Sequence, residues 1–398
     1  MTSQDTSPKP VDAYPWKRNT SIHRWYALGR YYAMFPSSFA YNAVSGLTRH
    51  GEHVLDPFCG RGNGPFSATV LNRPATGIDI NPIAWLYTAA KLRPATKMEQ
   101  VLERLKQIDE ASRPQDRKSQ SPFETMLWSP DVRAFLRSAR RHLKWEPDGC
   151  EIDRTLMAFV ALHMQDKEGA GLSNVLWPTI ACSPNYAMKW WTRQKKFDPP
   201  KVNPAALLED KIRRRYEYGV PQQSPGNAIL GDSRTELDKL SPLNAGLLIT
   251  SPPYCGVTDY WNDHWLRLWV LGYRQRKDWR KAAKFSNKAD YQALINEVFL
   301  RCKKHLAQDA AILVRSDQRR QTSEMCIKAL QLVWPGQDIY VRSSKAPNNG
   351  VSNHHGRGGH KAKEIDLLIP GSRGKVWQQE HGFQRLNSTA FAPSSTTQ

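Results

Sequence analysis

His53-Val54-Leu55-Asp56-Pro57-Phe58-Cys59-Gly60-Arg61-Gly62-Asn63 is the stretch on which the fold turns. A short apolar run ends at Asp56, a glycine-rich turn follows, and residues 65–71 read as a helix. Glycine lets the backbone pass close to a bound group, and strand, glycine turn, helix is the order found at nucleotide-cofactor sites. About twenty residues on, Thr76-Gly77-Ile78-Asp79-Ile80 reads as a second strand ending in an acid. That offset suits a carboxylate facing ribose hydroxyls.

A second stretch, Leu248-Ile249-Thr250-Ser251-Pro252-Pro253-Tyr254, reads as a buried strand stopped by two prolines. Consecutive prolines remove two N–H donors, so the corner offers mainly hydrogen-bond acceptors beside an aromatic ring. Such a corner suits a planar substrate bearing an amino group. Further strands are expected at 227–230, 310–315, 338–342 and 364–369, and helices at 37–47, 82–92, 260–271 and 291–306. Ser37 or Ser38 is the expected N-cap of the first. Alternation of strands and helices implies an α/β protein with a parallel, doubly wound sheet. Ligands bind such sheets where strand order reverses, which would set the glycine turn and residues 251–254 face to face.

Residues 1–20 read as a flexible arm, and 21–92 as the first part of the sheet domain. Residues 93–226 read as a mostly helical insert, because a crossover this long is unusual in a compact α/β unit. Residues 227–370 complete the sheet, and 371–398 read as a tail.

The chain of 398 residues has 57 Lys and Arg against 37 Asp and Glu, a formal charge of +20, which points to a polyanionic partner. Ribosomal binders and membrane-surface proteins share such a charge. Lys195, Lys196, Arg213, Arg214 and Arg215, with Trp190, Trp191, Tyr216 and Tyr218 nearby, read either as a solvated helix face or as a nucleic-acid surface. Arg357 lies in a glycine-rich loop suited to touching phosphates. His354, His355 and His360 in the same loop have no carboxylate or cysteine at ligand spacing, so no metal is expected. No apolar run is long enough to span a bilayer, and the six scattered cysteines point to a reducing cytoplasm.

Asp56 to Gly62 together with Thr250 to Tyr254 resembles the amino-DNA methyltransferases, which use S-adenosyl-L-methionine to methylate the exocyclic amine of cytosine (N4) or adenine (N6). The resemblance implies a Rossmann-like sheet and a target-recognition region between the two motifs. It further implies that Asp56, Pro57, Phe58, Gly60 and Gly62 line the methionine end of the cofactor, with Phe35 and Pro36 opposite. Asp79 would accept the ribose hydroxyls, and Asp232 would lie near the adenine ring. Ser251 and the Pro252 carbonyl would accept from the target amine, with Pro253 fixing the corner and Tyr254 stacking on a base flipped from duplex DNA. Ser before Pro-Pro-Tyr favours cytosine over adenine. A ring-carbon methyltransferase would need a thiolate where Tyr254 stands, and Cys59 and Cys255 read as packing residues. An RNA amine methyltransferase and a silent DNA-binding module are the other readings. In a restriction-modification setting the partner would be a cognate restriction endonuclease.

Overall fold

The computed structural model describes residues 17, 19–31, 36–166, 169–176, 183–255, 260–273, 287–317, 320–345 and 363–386. In chain order the elements are α1 (Ser21–Tyr26), α2 (Ser37–Leu47), β1 (Val54–Asp56), α3 (Asn63–Val70), β2 (Ala75–Asp79) and α4 (Pro82–Leu92). Six helices follow: α5 (Met98–Glu110), α6 (Pro122–Leu127), α7 (Pro130–His142), α8 (Glu151–His163), α9 (Pro184–Arg193) and α10 (Pro204–Tyr216). The chain then returns to the sheet through β3 (Gly226–Leu230), α11 (Ser233–Glu236), β4 (Ala245–Thr250), α12 (Tyr260–Val270), α13 (Lys288–Lys303) and β5 (Leu306–Asp317). It ends with α14 (Arg320–Val333), β6 (Tyr340–Lys345), β7 (Lys363–Ile369), α15 (Gly374–Glu380) and β8 (Gln384–Arg385).

The strands form one sheet in the order β3-β2-β1-β4-β5-β7-β6-β8. This is the doubly wound, Rossmann-like sheet expected from the sequence. β1 and β4 are parallel neighbours, with Val54 beside Leu247 and Leu55 beside Leu248, so strand order reverses between them. One expectation is corrected: the sheet is not wholly parallel. β7 runs antiparallel between β5 and β6, and β8 runs antiparallel to β6.

Helices cover both faces of the sheet, as a sheet buried on both sides needs. Leu55, Leu248, Ile312 and Val314 pack on Tyr291, Ile295, Val298 and Leu330 from α13 and α14. Val54, Leu247, Ile249 and Leu313 pack on Phe39, Val44 and Leu47 of α2 and Trp377 of α15. The helices between α4 and β3 share a third core with α4 and α12 rather than closing on one of their own.

Local sequence sets several boundaries. Asn81 caps α4 by accepting from the Ile83 N–H, and Pro82 takes the first turn, where its missing donor costs nothing. The N-cap of α2 is Pro36, not Ser37 or Ser38, and its carbonyl accepts from the Ala40 N–H. The tail read from residue 371 is also corrected. Residues 374–380 form a helix whose Trp377 is buried on α2, and residues 384–385 pair with β6. That segment covers apolar sheet surface, a role its polar composition conceals.

Candidate active site

Both motifs open at the same edge of the sheet, because β1 and β4 are adjacent and parallel. Thr250 Oγ donates to Asp56 Oδ1 at 2.8 Å, tying the last residues of the two strands together. The Phe58 N–H also donates to Oδ1, at 3.2 Å. Asp56 Oδ2 is buried with no hydrogen-bond partner among the described residues. Burial pushes the Asp56 pKa up to about 8, against the Thr250 and Phe58 hydrogen bonds that favour its ionised form.

Asp79 at the end of β2 braces the glycine turn. Its carboxylate accepts from the Gly60 N–H and the Asn81 N–H, both at 2.8 Å. Burial again dominates and raises its pKa to about 7. Two N–H donors leave lone pairs on both oxygens, so the same carboxylate retains capacity to accept from a ligand. Gly62 begins α3 at φ +77°, and a Cβ there would stand 2.6 Å from Thr88 Oγ, so no other residue fits without displacement. Pro57 is buried and Phe58 half-buried beside this turn, and the Pro57 carbonyl accepts from the Ser233 hydroxyl. Asp232 lies past the end of β3, half-exposed and paired with Arg234 at 2.6 Å. Burial opposes its ionisation, but the Arg234 side chain and N–H outweigh that and hold its pKa below the ordinary value.

On the other side, Pro252 and Pro253 are buried, while Ser251 and Tyr254 are half-buried. Ser251 Oγ is itself buried and makes no full hydrogen bond among the described residues; it lies near the Tyr254 hydroxyl. Burial raises the Tyr254 pKa well above its ordinary value, reinforced by Glu364 and Asp317 and opposed by Arg315. The phenol therefore stays neutral, its hydroxyl among the charged ends of β5 and β7. Arg315 pairs with Asp366 at 2.6 Å and with Glu364 at 3.2 Å, and its guanidinium lies 3.6 Å from the centre of the Phe39 ring. This buried charge cluster fixes the ground behind Tyr254 and joins it to α2.

Other residues complete this edge. Tyr31 is buried beside Gly60, its hydroxyl accepts from Asn81 Nδ2 at 3.1 Å, and its ring stacks on His264 of α12 at 4.8 Å. Asn81 was legible as an Asn-Pro helix start. His264 carried no local signal, and Thr250, although inside the Thr250–Tyr254 motif, signalled no role of its own because its partner depends on which strand lies alongside.

The expected nucleic-acid contacts separate. Lys195 is exposed and Lys196 half-buried just after α9. Arg213 and Arg214 on α10 pair along their own helix with Glu209 at 2.7 Å and Asp210 at 3.1 Å. Arg215 is half-buried and donates to the Ala27 carbonyl at 3.4 Å, and burial lowers its pKa to about 9. A helix cannot point three consecutive side chains the same way. Pro36 is half-buried at the start of α2, while Phe35 and Arg357 lie outside the described residues. A cleft of about 790 Å³ opens between Asp109, Arg113, Asp131 and Asn203, with no residue of the strand ends in its lining. No metal-ligating cluster occurs among the described residues, nor any helix long and apolar enough to cross a membrane.

No protein-family model matches this chain. Over 315 residues it is 24% identical to the type II methyltransferase M.BsoBI of Geobacillus stearothermophilus. That alignment covers 69% of this chain and 57% of the relative, so the chain spans little more than half the relative's length. Among solved structures, an rRNA methyltransferase, aviRa from Streptomyces viridochromogenes, aligns over 91% of this chain at 12% identity with a TM-score of 0.33, too low to inform substrate.

Proposed function

We propose that this chain transfers a methyl group from S-adenosyl-L-methionine to the N4 amine of cytosine in duplex DNA. The observation that carries the reading is the Thr250–Asp56 bridge, which brings an acidic glycine-turn cradle and an acceptor-rich corner to one edge of the sheet. Likeness to a type II methyltransferase supports the reaction class.

The residues suit that cofactor. Asp56 Oδ2 is a buried acceptor with no partner among the described residues, which favours a cationic or N–H donor group of the methionine moiety. Asp79, already braced by Gly60 and Asn81, has lone pairs to spare for ribose hydroxyls. When bound, the cofactor supplies an electrophilic methyl on a sulfonium.

An aromatic amine is a weak nucleophile because its lone pair is shared with the ring. Ser251 Oγ and the Pro252 carbonyl accept its hydrogens and favour a pyramidal nitrogen, whose lone pair then points along the line of transfer. Tyr254 presents a half-exposed ring with its hydroxyl held inside, so the ring stacks on the flipped base without turning. Positioning of this kind lowers barriers by about 7–11 kcal/mol in the best-oriented systems. The methylated nitrogen is strongly acidic, so no dedicated base is needed.

Supplying cofactor with a labelled methyl group alongside duplex DNA and, separately, tRNA tests the proposal. Label in duplex DNA is the expected result. Label in tRNA alone, from protein that binds the cofactor, would overturn the choice of substrate.

A further inference from the structure

Among the described residues α9 packs on the core through Ala187 and Trp191, flanked by Met188 and Trp190. Ala187 and Trp191, four residues apart, are buried. Trp191 Nε1 donates to the Val175 carbonyl at 2.8 Å, and its ring stacks on Phe123 at 5.8 Å. Phe123 in turn touches Trp265 of α12 at 5.6 Å. α12 is the helix that follows Ser251–Tyr254, so α9 stands two ring contacts from the element leaving the catalytic corner.

The outer face has a different chemistry. Tyr186, Lys189 and Arg193 follow the spacing of one helical stripe, and all are exposed. Lys195 and Phe197 continue the exposed surface past the helix, with Tyr186 and Phe197 each 53% exposed. No Asp or Glu occurs from Ser183 to Phe197. Among the described residues Lys189, Arg193 and Lys195 make no ion pair, whereas Arg213 and Arg214 on α10 are neutralised within their own helix. Uncompensated cations interleaved with solvent-facing rings suit a sugar–phosphate backbone better than a protein partner, whose apolar anchor would be more continuous.

We infer that the outer face of α9 is the duplex-contacting surface, with Lys189, Arg193 and Lys195 on phosphates and Tyr186 and Phe197 against the sugars. This rests on the DNA reading above. It makes α9, rather than the arginines of α10, the source of the electrostatic part of binding.

Fluorescence anisotropy of a labelled duplex, titrated over about 50–200 mM salt, separates the possibilities. The full chain would be compared with a Lys189→Ala, Arg193→Ala, Lys195→Ala triple variant and with an Arg213→Ala, Arg214→Ala control. Each lost phosphate contact reduces the slope of log affinity against log salt by about 0.9, so the triple variant should lose roughly two to three from its slope. The control should keep the wild-type slope, and S-adenosylmethionine affinity and thermal midpoint should stay unchanged in both. A triple variant with the wild-type slope would overturn the assignment of α9 while leaving the DNA reading intact. A wild-type chain that ignores duplex DNA even at low salt would overturn the DNA reading itself.

Discussion

Asp56 and Asp79 are buried acids at the candidate site, and their protonation gives the first prediction. Both titrate near 3.8 when exposed, and burial raises them to about 8 and about 7 in the folded chain. The folded state therefore holds their protons more tightly than the unfolded one. The stability they contribute is complete below about pH 4 and is lost progressively as pH rises from there through about 7 and 8. Thermal midpoints of the ligand-free chain should fall over that window, and Asp79→Asn should flatten the fall whatever it does to absolute stability. A cationic ligand reverses the preference, so cofactor binding should release protons near pH 7, visible as a binding enthalpy that changes with buffer ionisation heat. At the opposite corner, Tyr254→Ala should slow single-turnover methylation roughly ten- to hundredfold, the worth of one stacked base, while Tyr254→Phe keeps the ring and most of the rate. Ser251→Ala should lower turnover more than it weakens DNA binding, because its hydrogen bond strengthens as nitrogen pyramidalises. Equal rates for the two Tyr254 variants would exclude stacking.

Among elements, α15 and β8 are the ones the sequence concealed. Residues 371–386 are polar enough to read as a tail, yet Trp377 is buried and lies so close to α2 that a Cβ on Gly46 would overlap its ring. Trp377→Ala should cost about 3–5 kcal/mol in chemical denaturation, a loss typical of a large aromatic leaving a packed core. A cost below 1 kcal/mol would return the segment to a dispensable tail. The glycine turn, by contrast, was legible because it is local: β1, Gly60, Gly62 and the acid of β2 lie within one strand–turn–helix–strand unit. So was the end of β4, since two prolines terminate a strand wherever they fall in a buried run. The antiparallel insertion of β7 was not legible, because pairing order is a long-range choice that an apolar run does not encode. Nor was the inward turn of Arg215, which depends on the angle α10 makes with α1.

For the molecule as a whole, the charge of +20 is less free than its count suggests. Arg104, Arg137 and Arg141 pair with Asp153, Glu124 and Asp116, and so hold the helices around them together rather than facing a ligand. α12 connects two parts of the molecule, with His264 on Tyr31 beside the glycine turn and Trp265 and Trp269 on Phe123 and Trp128 toward the helices that follow α4. This places the proposed DNA surface and the Ser251–Tyr254 corner on one continuous packed body. This body is proposed to methylate an amine of DNA. The most direct measurement is to digest genomic DNA from cells expressing the chain and identify the modified nucleosides by mass spectrometry against a Ser251→Ala control. N4-methylcytosine, reduced or lost in the control, is the predicted result; DNA with no methylated amine, from a chain that folds and binds S-adenosylmethionine, would contradict it.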